Sequence, residues 1–381
     1  MLALAATVAL GACQDNPVDP SGDALNAIQA TEGSAQARGG RASVYLMSNQ
    51  TAGNEVLVFD RAADGSLSPA GAVATGGSGT GAGLGNQGAV TLTDDGRWLL
   101  VVNAGSDDVS VFAVRSGGLA LTDRVPSGGV QPISVTVHGD LVYVLNAGGD
   151  GGIAGFTLGN DGSLTSLAGS IRPLSGAGVG PAQIGFGRGG DVLAVAEKGS
   201  NMITTYLIGS DGLPSAPIAN PSAGQTPFGF EFDHRGRLVV SEAFGGAADA
   251  SATSLYEVGR DGSLSVLAAS VPTTETAACW IIISQDGRFA YTTNAGSGSI
   301  SGYEIGSQGD LTLLDSDGRT GVAGSGTTPL DGAISRGGRY LYVLLAGTSQ
   351  IGVFEVGPRG GLTLTSTVDG LPAGANGMAA S

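Results

Sequence analysis

One pattern dominates this chain: a loop of small residues, then an alternating run, then an aromatic. It reads VNAGSDDVSVF up to Phe112, LNAGGDGGIAGF up to Phe156, TNAGSGSISGY up to Tyr303 and LAGTSQIGVF up to Phe354. The full set of closing aromatics is Phe59, Phe112, Phe156, Tyr206, Tyr256, Tyr303 and Phe354, spaced 44 to 53 residues apart. Seven units of about 49 residues therefore occupy positions 42 to 381. A segment of that size cannot bury a sheet face alone and stacks on its neighbours, so the 381 residues are not to be cut into two or three ordinary domains.

Two further landmarks accompany each aromatic. After it comes a glycine turn followed by leucine, as in Asp64-Gly65-Ser66-Leu67, Asp161-Gly162-Ser163-Leu164 and Asp261-Gly262-Ser263-Leu264. Asp-Gly supplies the positive φ that a hairpin turn demands. Before it lies a second glycine turn, as in Asp95-Gly96-Arg97, His138-Gly139-Asp140, His234-Arg235-Gly236 and Asp286-Gly287-Arg288, present six times and missing from the first unit. Each full unit reads strand A, glycine turn, strand B, small-residue loop, strand C, glycine turn, strand D. Sixty-eight glycines, 13% charged residues and no long amphipathic stretch beyond about residue 40 agree with short strands and tight turns.

The expected fold is all-β, a seven-bladed β-propeller with four antiparallel strands per blade. The first unit enters directly at strand B with Ala42-Ser43-Val44-Tyr45-Leu46-Met47. The C-terminal Gly374-Ala375-Asn376-Gly377-Met378-Ala379-Ala380-Ser381 reads as its missing strand A. The last strand thus completes the first blade and closes the ring. A pair of β-sandwiches is the alternative, and thirteen regularly repeated turns argue against it.

The N-terminus reads differently. Residues 2–10 are apolar but too few to span a bilayer, and they lead into Leu10-Gly11-Ala12-Cys13. This resembles the bacterial lipobox, whose cysteine is lipidated and becomes the mature first residue; a plain secretory signal is the alternative. The positive segment that normally precedes such a run is absent, which fits a natural start further upstream. Residues 1–13 are read as a signal segment with lipid on Cys13, 14–41 as a flexible tether and 42–381 as the propeller. The expected location is the cell envelope, periplasmic side or surface, with membrane contact only through that lipid. A net charge of −16 argues against nucleic acid as a partner. A monomer is expected.

Glycine turn, Leu141-Val142-Tyr143-Val144-Leu145-Asn146-Ala147-Gly148, aromatic-ended strand and Asp161-Gly162-Ser163-Leu164 together resemble the seven-bladed lactonase propellers over residues 42 to 381. That family includes bacterial 6-phosphogluconolactonases and fungal carboxymuconate-lactonizing enzymes. Tyr291-Thr292-Thr293-Asn294 is also similar to the YVTN-repeat propellers of cell surfaces, which are regarded as binding proteins. The resemblance implies a lactone hydrolase, with a histidine near the start of a strand A. Here those starts, among them Gly85-Asn86-Gln87-Gly88, Val130-Gln131-Pro132 and Ala278-Cys279-Trp280, hold none. Two functions therefore stay open: hydrolysis of a lactone or related cyclic ester, and a non-catalytic envelope propeller that binds a carbohydrate-like ligand or a protein.

Alternating strand direction puts A–B and C–D turns on one face and B–C loops and D–A crossings on the other. The second face, with its longer variable connections, is the expected channel mouth. By that placement His138 and His234 lie on the opposite face. Gln87, Gln131 and Gln183 recur near successive inner strands, and their amides would suit a neutral sugar or lactone or would pair with neighbouring backbone. Glu197 and Glu242 replace the asparagine that ends strand B elsewhere (Asn103, Asn146, Asn294) and are the candidate general bases. Lys198, the sole lysine, is the candidate oxyanion partner. Solvated loop charges are the alternative for all three. Trp280 is a candidate sugar-stacking ring or channel plug, Asp331 the acidic group at the seventh crossing, and Cys279 a small buried residue. No cofactor is expected, nor any metal, since no His/Asp/Glu spacing matches a ligand set.

Overall fold

The computed structural model describes residues 42–381, so the signal segment, the tether and Cys13 lie outside the described residues. Seven separate sheets form the ring, with strand order A-B-C-D from the channel outward. Blade 2 runs through Val90–Leu92, Trp98–Asn103, Asp108–Arg115 and Gly118–Pro126. Blades 3 to 7 begin with inner strands Pro132–His138, Pro181–Phe186, Pro227–Phe232, Ala278–Ile283 and Pro329–Ile334. Blade 6 carries one extra short strand, Gly321–Val322, paired with its strand C, Ser299–Ile305.

Blade 1 is assembled from both ends of the ring. Asn376–Ala380 is its inner strand and pairs antiparallel with Ser43–Met47, with Val44 opposite Ala380 and Met47 opposite Asn376. The Ser381 N–H donates to the Ser43 carbonyl at 2.9 Å. The closing strand stitches positions more than 330 residues apart by backbone hydrogen bonds, the arrangement the missing first strand requires.

The repeated residues explain the ring's regularity. All seven strand-C aromatics are at most 1% exposed. One core cluster spans blades 1, 2 and 3, holding Tyr45, Phe112 and Phe156 together. Full burial of each such ring is worth about 2–3 kcal/mol. The C–D turn glycines have two reasons to lack a side chain. Gly162 has φ +83°, and a Cβ there would also strike the Trp98 ring that opens strand B of the preceding blade. Asp161 caps the same turn by accepting from the Ser163 N–H at 3.1 Å.

Each inner strand has one edge facing the channel, and its N–H and C=O groups need partners. Side chains of the preceding blade supply them. Thr91 Oγ1 donates to the Val135 carbonyl at 2.8 Å, Ser134 Oγ accepts from the Ile184 N–H at 3.2 Å, and Glu231 Oε2 accepts from the Ile283 N–H at 2.7 Å. The channel is therefore lined by edge-capping polar groups set among apolar ones.

Candidate active site in the central channel

The D–A half of the channel is filled. Phe228 and Trp280 are 1% exposed, their rings 5.1 Å apart. The crossing from blade 1 to blade 2, residues 75–89, folds over this end. Trp280 Nε1 donates to the Asn86 carbonyl at 2.6 Å. Lys198 Nζ donates to the Gly85 carbonyl at 2.5 Å and sits 4.8 Å above the Phe228 ring. Burial lowers the Lys198 ammonium to about 8. Trp280 packs on Phe228 and fills this end of the channel.

The other half is open. A cavity of about 410 Å³ runs from Gln87 and Gln183 to the ends of the inner strands, where Phe186, Phe232 and Ile334 are only half-buried. Solvent enters from the A–B turn face, which corrects the expected position of the mouth: the folded crossing closes the face with longer loops. The histidines consequently lie on the side of the opening. The His138 ring is 5.8 Å from that of Phe186, a wall of the cavity.

The glutamines behave as backbone surrogates. Gln183 Nε2 donates to the Phe230 carbonyl at 2.9 Å while its Oε1 accepts from the Phe230 N–H at 2.7 Å. Gln87 does the same with Ile281 across the channel, at 2.7 and 3.1 Å. Both touch the cavity with amides already committed. Gln131 is exposed in the crossing to blade 3, has φ +54° and donates its N–H to Asp107, so it is not part of the channel wall.

Glu197 and Glu242 also lie elsewhere. Both are fully buried at the B–C ends of blades 4 and 5 and do not line the cavity. Glu197 accepts from the Ser175 N–H at 3.0 Å, from the Ser175 hydroxyl and from Ser200 Oγ at 3.0 Å. Glu242 accepts from the Gly224 N–H (2.8 Å), Ser254 Oγ (2.5 Å) and Ser270 Oγ (2.7 Å). These carboxylates pin crossing loops, as Asn103 does where its Oδ1 accepts from Thr75 Oγ1 at 2.7 Å. Their placement gives them a structural use, corrects the reading of them as bases at a channel mouth, and leaves the adjacent Lys198 as a latch on the crossing.

Two other carboxyls face the cavity: Asp331, singled out from the sequence, and Glu231, which was not. Burial pushes Asp331 up to about 7, against the opposing N–H groups of Gly88, Gly332 and Met378. Burial, and secondarily the charge of Asp331, pushes Glu231 up to about 8, against the Ile283 N–H. Among the described residues Glu231 Oε1 has no hydrogen-bond partner. Among the described residues no Lys, Arg or His side chain lines the cavity. A sequence signal for Glu231 did exist: it is a charge inside the inner strand Phe228-Gly229-Phe230-Glu231-Phe232, where the other blades place apolar residues or threonine. Among the described residues no three His, Cys, Asp or Glu side chains are grouped as a metal site.

Comparison with known proteins agrees with this architecture. The family described as "Lactonase, 7-bladed beta-propeller" matches residues 41–172 and 248–378. The 6-phosphogluconolactonase of Yersinia pestis (strain Pestoides F) is 26% identical over 267 residues, covering 68% of this chain and 77% of that protein. The periplasmic gluconolactonase of Pseudomonas aeruginosa superposes with a TM-score of 0.69 at 19% identity, covering 88% of this chain and 98% of its own. A functionally unknown protein from Desulfotomaculum acetoxidans gives 0.66 at 12% identity, covering 88% and 98%. At these identities the two solved structures speak to the fold alone. With its seven blades, its closing strand and a family match over more than half its length, the chain belongs to the seven-bladed β-propeller lactonases.

Proposed function

We propose that this protein hydrolyses an uncharged lactone, of the sugar-lactone kind, in the open half of its channel, with Asp331 and Glu231 as the acid–base pair. The observation that carries this reading is geometric: Asp331 and Glu231 face one cavity whose other lining is apolar side chains, threonines and the already paired amides of Gln87 and Gln183, and burial raises the two carboxyls to about 7 and about 8. Paired carboxyls pushed toward neutrality by their surroundings are the usual means of separating an acid from a base. Asp331 as carboxylate removes a proton from water while the water oxygen bonds to the lactone carbonyl carbon. The ring C–O bond then breaks, and the Glu231 carboxylic acid gives its proton to the departing alkoxide. The proton held by Asp331 passes to Glu231, restoring both groups; the new carboxylic acid gives its own proton to solvent water, and the hydroxy acid leaves as an anion repelled by the acidic wall. Acid–base assistance of this kind is worth about 10²–10⁴ in rate.

The same wall argues about the substrate. A phosphate would meet two carboxyls and no cation in the cavity. The reading therefore favours an unphosphorylated lactone, such as the name of the Pseudomonas gluconolactonase implies for that enzyme, over the phosphorylated substrate named for the Yersinia relatives. Kinetics on glucono-δ-lactone and its 6-phosphate test it: turnover of the first exceeding the second supports it, and preference for the phosphate counts against it. One observation favours the second reading, a non-catalytic binding propeller. Glu231 and Asp331 each cap backbone N–H groups and so have a use without chemistry. Binding of a lactone without turnover would select that reading. We further propose export as a monomeric lipoprotein through Cys13, on the strength of Leu10-Gly11-Ala12-Cys13. Cys13→Ser should move the protein from the membrane fraction to the soluble one.

A further inference from the structure

Four consecutive residues, Gly85 to Gly88, cross the channel and are each held by a different contact. The Gly85 carbonyl accepts from Lys198 Nζ of blade 4, and the Asn86 carbonyl from Trp280 Nε1 of blade 6. The Gln87 N–H donates to the Ala182 carbonyl of blade 4 at 3.1 Å while its side chain pairs with Ile281 of blade 6. The Gly88 N–H points at Asp331 Oδ2 of blade 7 at 3.4 Å. This segment is a strut: its outer side carries the plug and its inner side is the floor of the cavity. Packing fixes it from below as well, because a Cβ on Gly229 of blade 5 would collide with Gln87 Oε1.

From this geometry we infer that Lys198 is a positioning residue for Asp331, acting through the strut, and that the sole lysine serves the site without touching the substrate. The inference rests on the acid–base reading of Asp331 only for its effect on rate; the placement itself is independent of it. Lys198 is the charged donor on the strut; the glycine-rich run before it, Gly79-Thr80-Gly81-Ala82-Gly83-Leu84-Gly85, is tied at its start by Asn49 to Thr80 and Ala82 and packed through Leu84, and Lys198 is the side chain that holds Gly85 itself. Three residues on, the Gly88 N–H reaches Asp331 Oδ2 at 3.4 Å, the contact the strut contributes beside the Gly332 N–H on Oδ1 at 2.9 Å. Releasing the strut lengthens a contact that is already long, and Asp331 then binds its proton more tightly.

The test compares the wild-type protein with Lys198→Met and Lys198→Arg, each labelled with carboxyl-¹³C aspartate, Asp331 being assigned from Asp331→Asn. The expected result is an upward shift of the Asp331 titration by about half a unit or more in Lys198→Met, restored in Lys198→Arg, which keeps a charged donor. Where glucono-δ-lactone is turned over, the acidic limb of kcat/KM moves in parallel. Trp280→Phe removes the Nε1 donor to the Asn86 carbonyl with Lys198 intact, and it must shift Asp331 as well, which keeps the test alive should Lys198→Met not fold. An Asp331 titration unmoved in whichever of these variants folds overturns the inference. Absence of turnover in the wild-type protein overturns the acid–base reading alone, because the titration is read without it.

Discussion

Two pairs of carboxyls, three of the four buried and Glu231 half-buried, share this molecule and differ in what surrounds them. Glu197 and Glu242 lie under the crossing loops, each met by three hydrogen-bond donors. Burial pushes Glu242 up, but Ser254, Ser270 and Gly224 pull it back. In the channel, Glu231 has one backbone donor and a free second oxygen, and its neighbour across blade 6 is another carboxyl. Glu231 is the carboxyl least tied down by donors; Asp331 meets three backbone N–H groups, as many as either loop carboxylate, and burial outweighs them at the cavity wall.

The sharpest way to break this contrast is to remove the acid character of each pair. Glu231→Gln and Asp331→Asn should each lower kcat/KM on glucono-δ-lactone by about 100-fold or more, with folding intact. Glu197→Gln and Glu242→Gln should leave the rate per folded molecule within a few-fold of wild type. A reversed pattern would return the chemistry to the crossing loops.

Stability should show the opposite ranking. Glu242→Ala leaves two hydroxyls and the Gly224 N–H without an acceptor, and a loss on the order of 3 kcal/mol is expected in denaturant unfolding. Asp331→Asn should cost less, because the amide oxygen still accepts from the backbone.

The pH response sharpens the comparison further. Glu231 and Asp331 keep their protons in the folded protein up to about pH 7–8, whereas an unfolded chain loses them near pH 4. The folded state binds more protons across that window, so their contribution to stability is full below about pH 4 and fades as pH rises through 8. Thermal midpoints should fall from pH 5 to pH 8, and Glu231→Gln with Asp331→Asn should flatten the slope. Activity should peak between about pH 7 and 8, where the pair holds one proton. The smallest effect is expected at the rim: His138→Ala should change kcat/KM by less than about threefold, under about 1 kcal/mol.

Much of this was legible residue by residue. Phe112, Phe156 and Tyr303 fall at one strand position in their units, and the Asp-Gly turns mark hairpins, because both signals are local. Trp280 as a plug and glutamine as a partner for backbone were among the readings the sequence allowed. The mouth was not legible. Loop length pointed to the D–A face, but residues 75–89 fold inward and are latched by Lys198 and Trp280 from other blades. Glu197 and Glu242 stood out by replacing asparagine, yet whether a strand-end carboxylate meets serine or solvent depends on Ser175 and Ser270, each more than twenty residues away.

Periodicity alone determined the number of blades, the strands within them and the closure of the ring, since a repeated alternation dictates which face each strand must bury. Tertiary packing decided which end of the channel stays open and which acids meet in it. Glu231 and Asp331 are separated by two full units of chain. Only the curvature of the ring brings two inner strands to opposite sides of blade 6, where both side chains face one cavity.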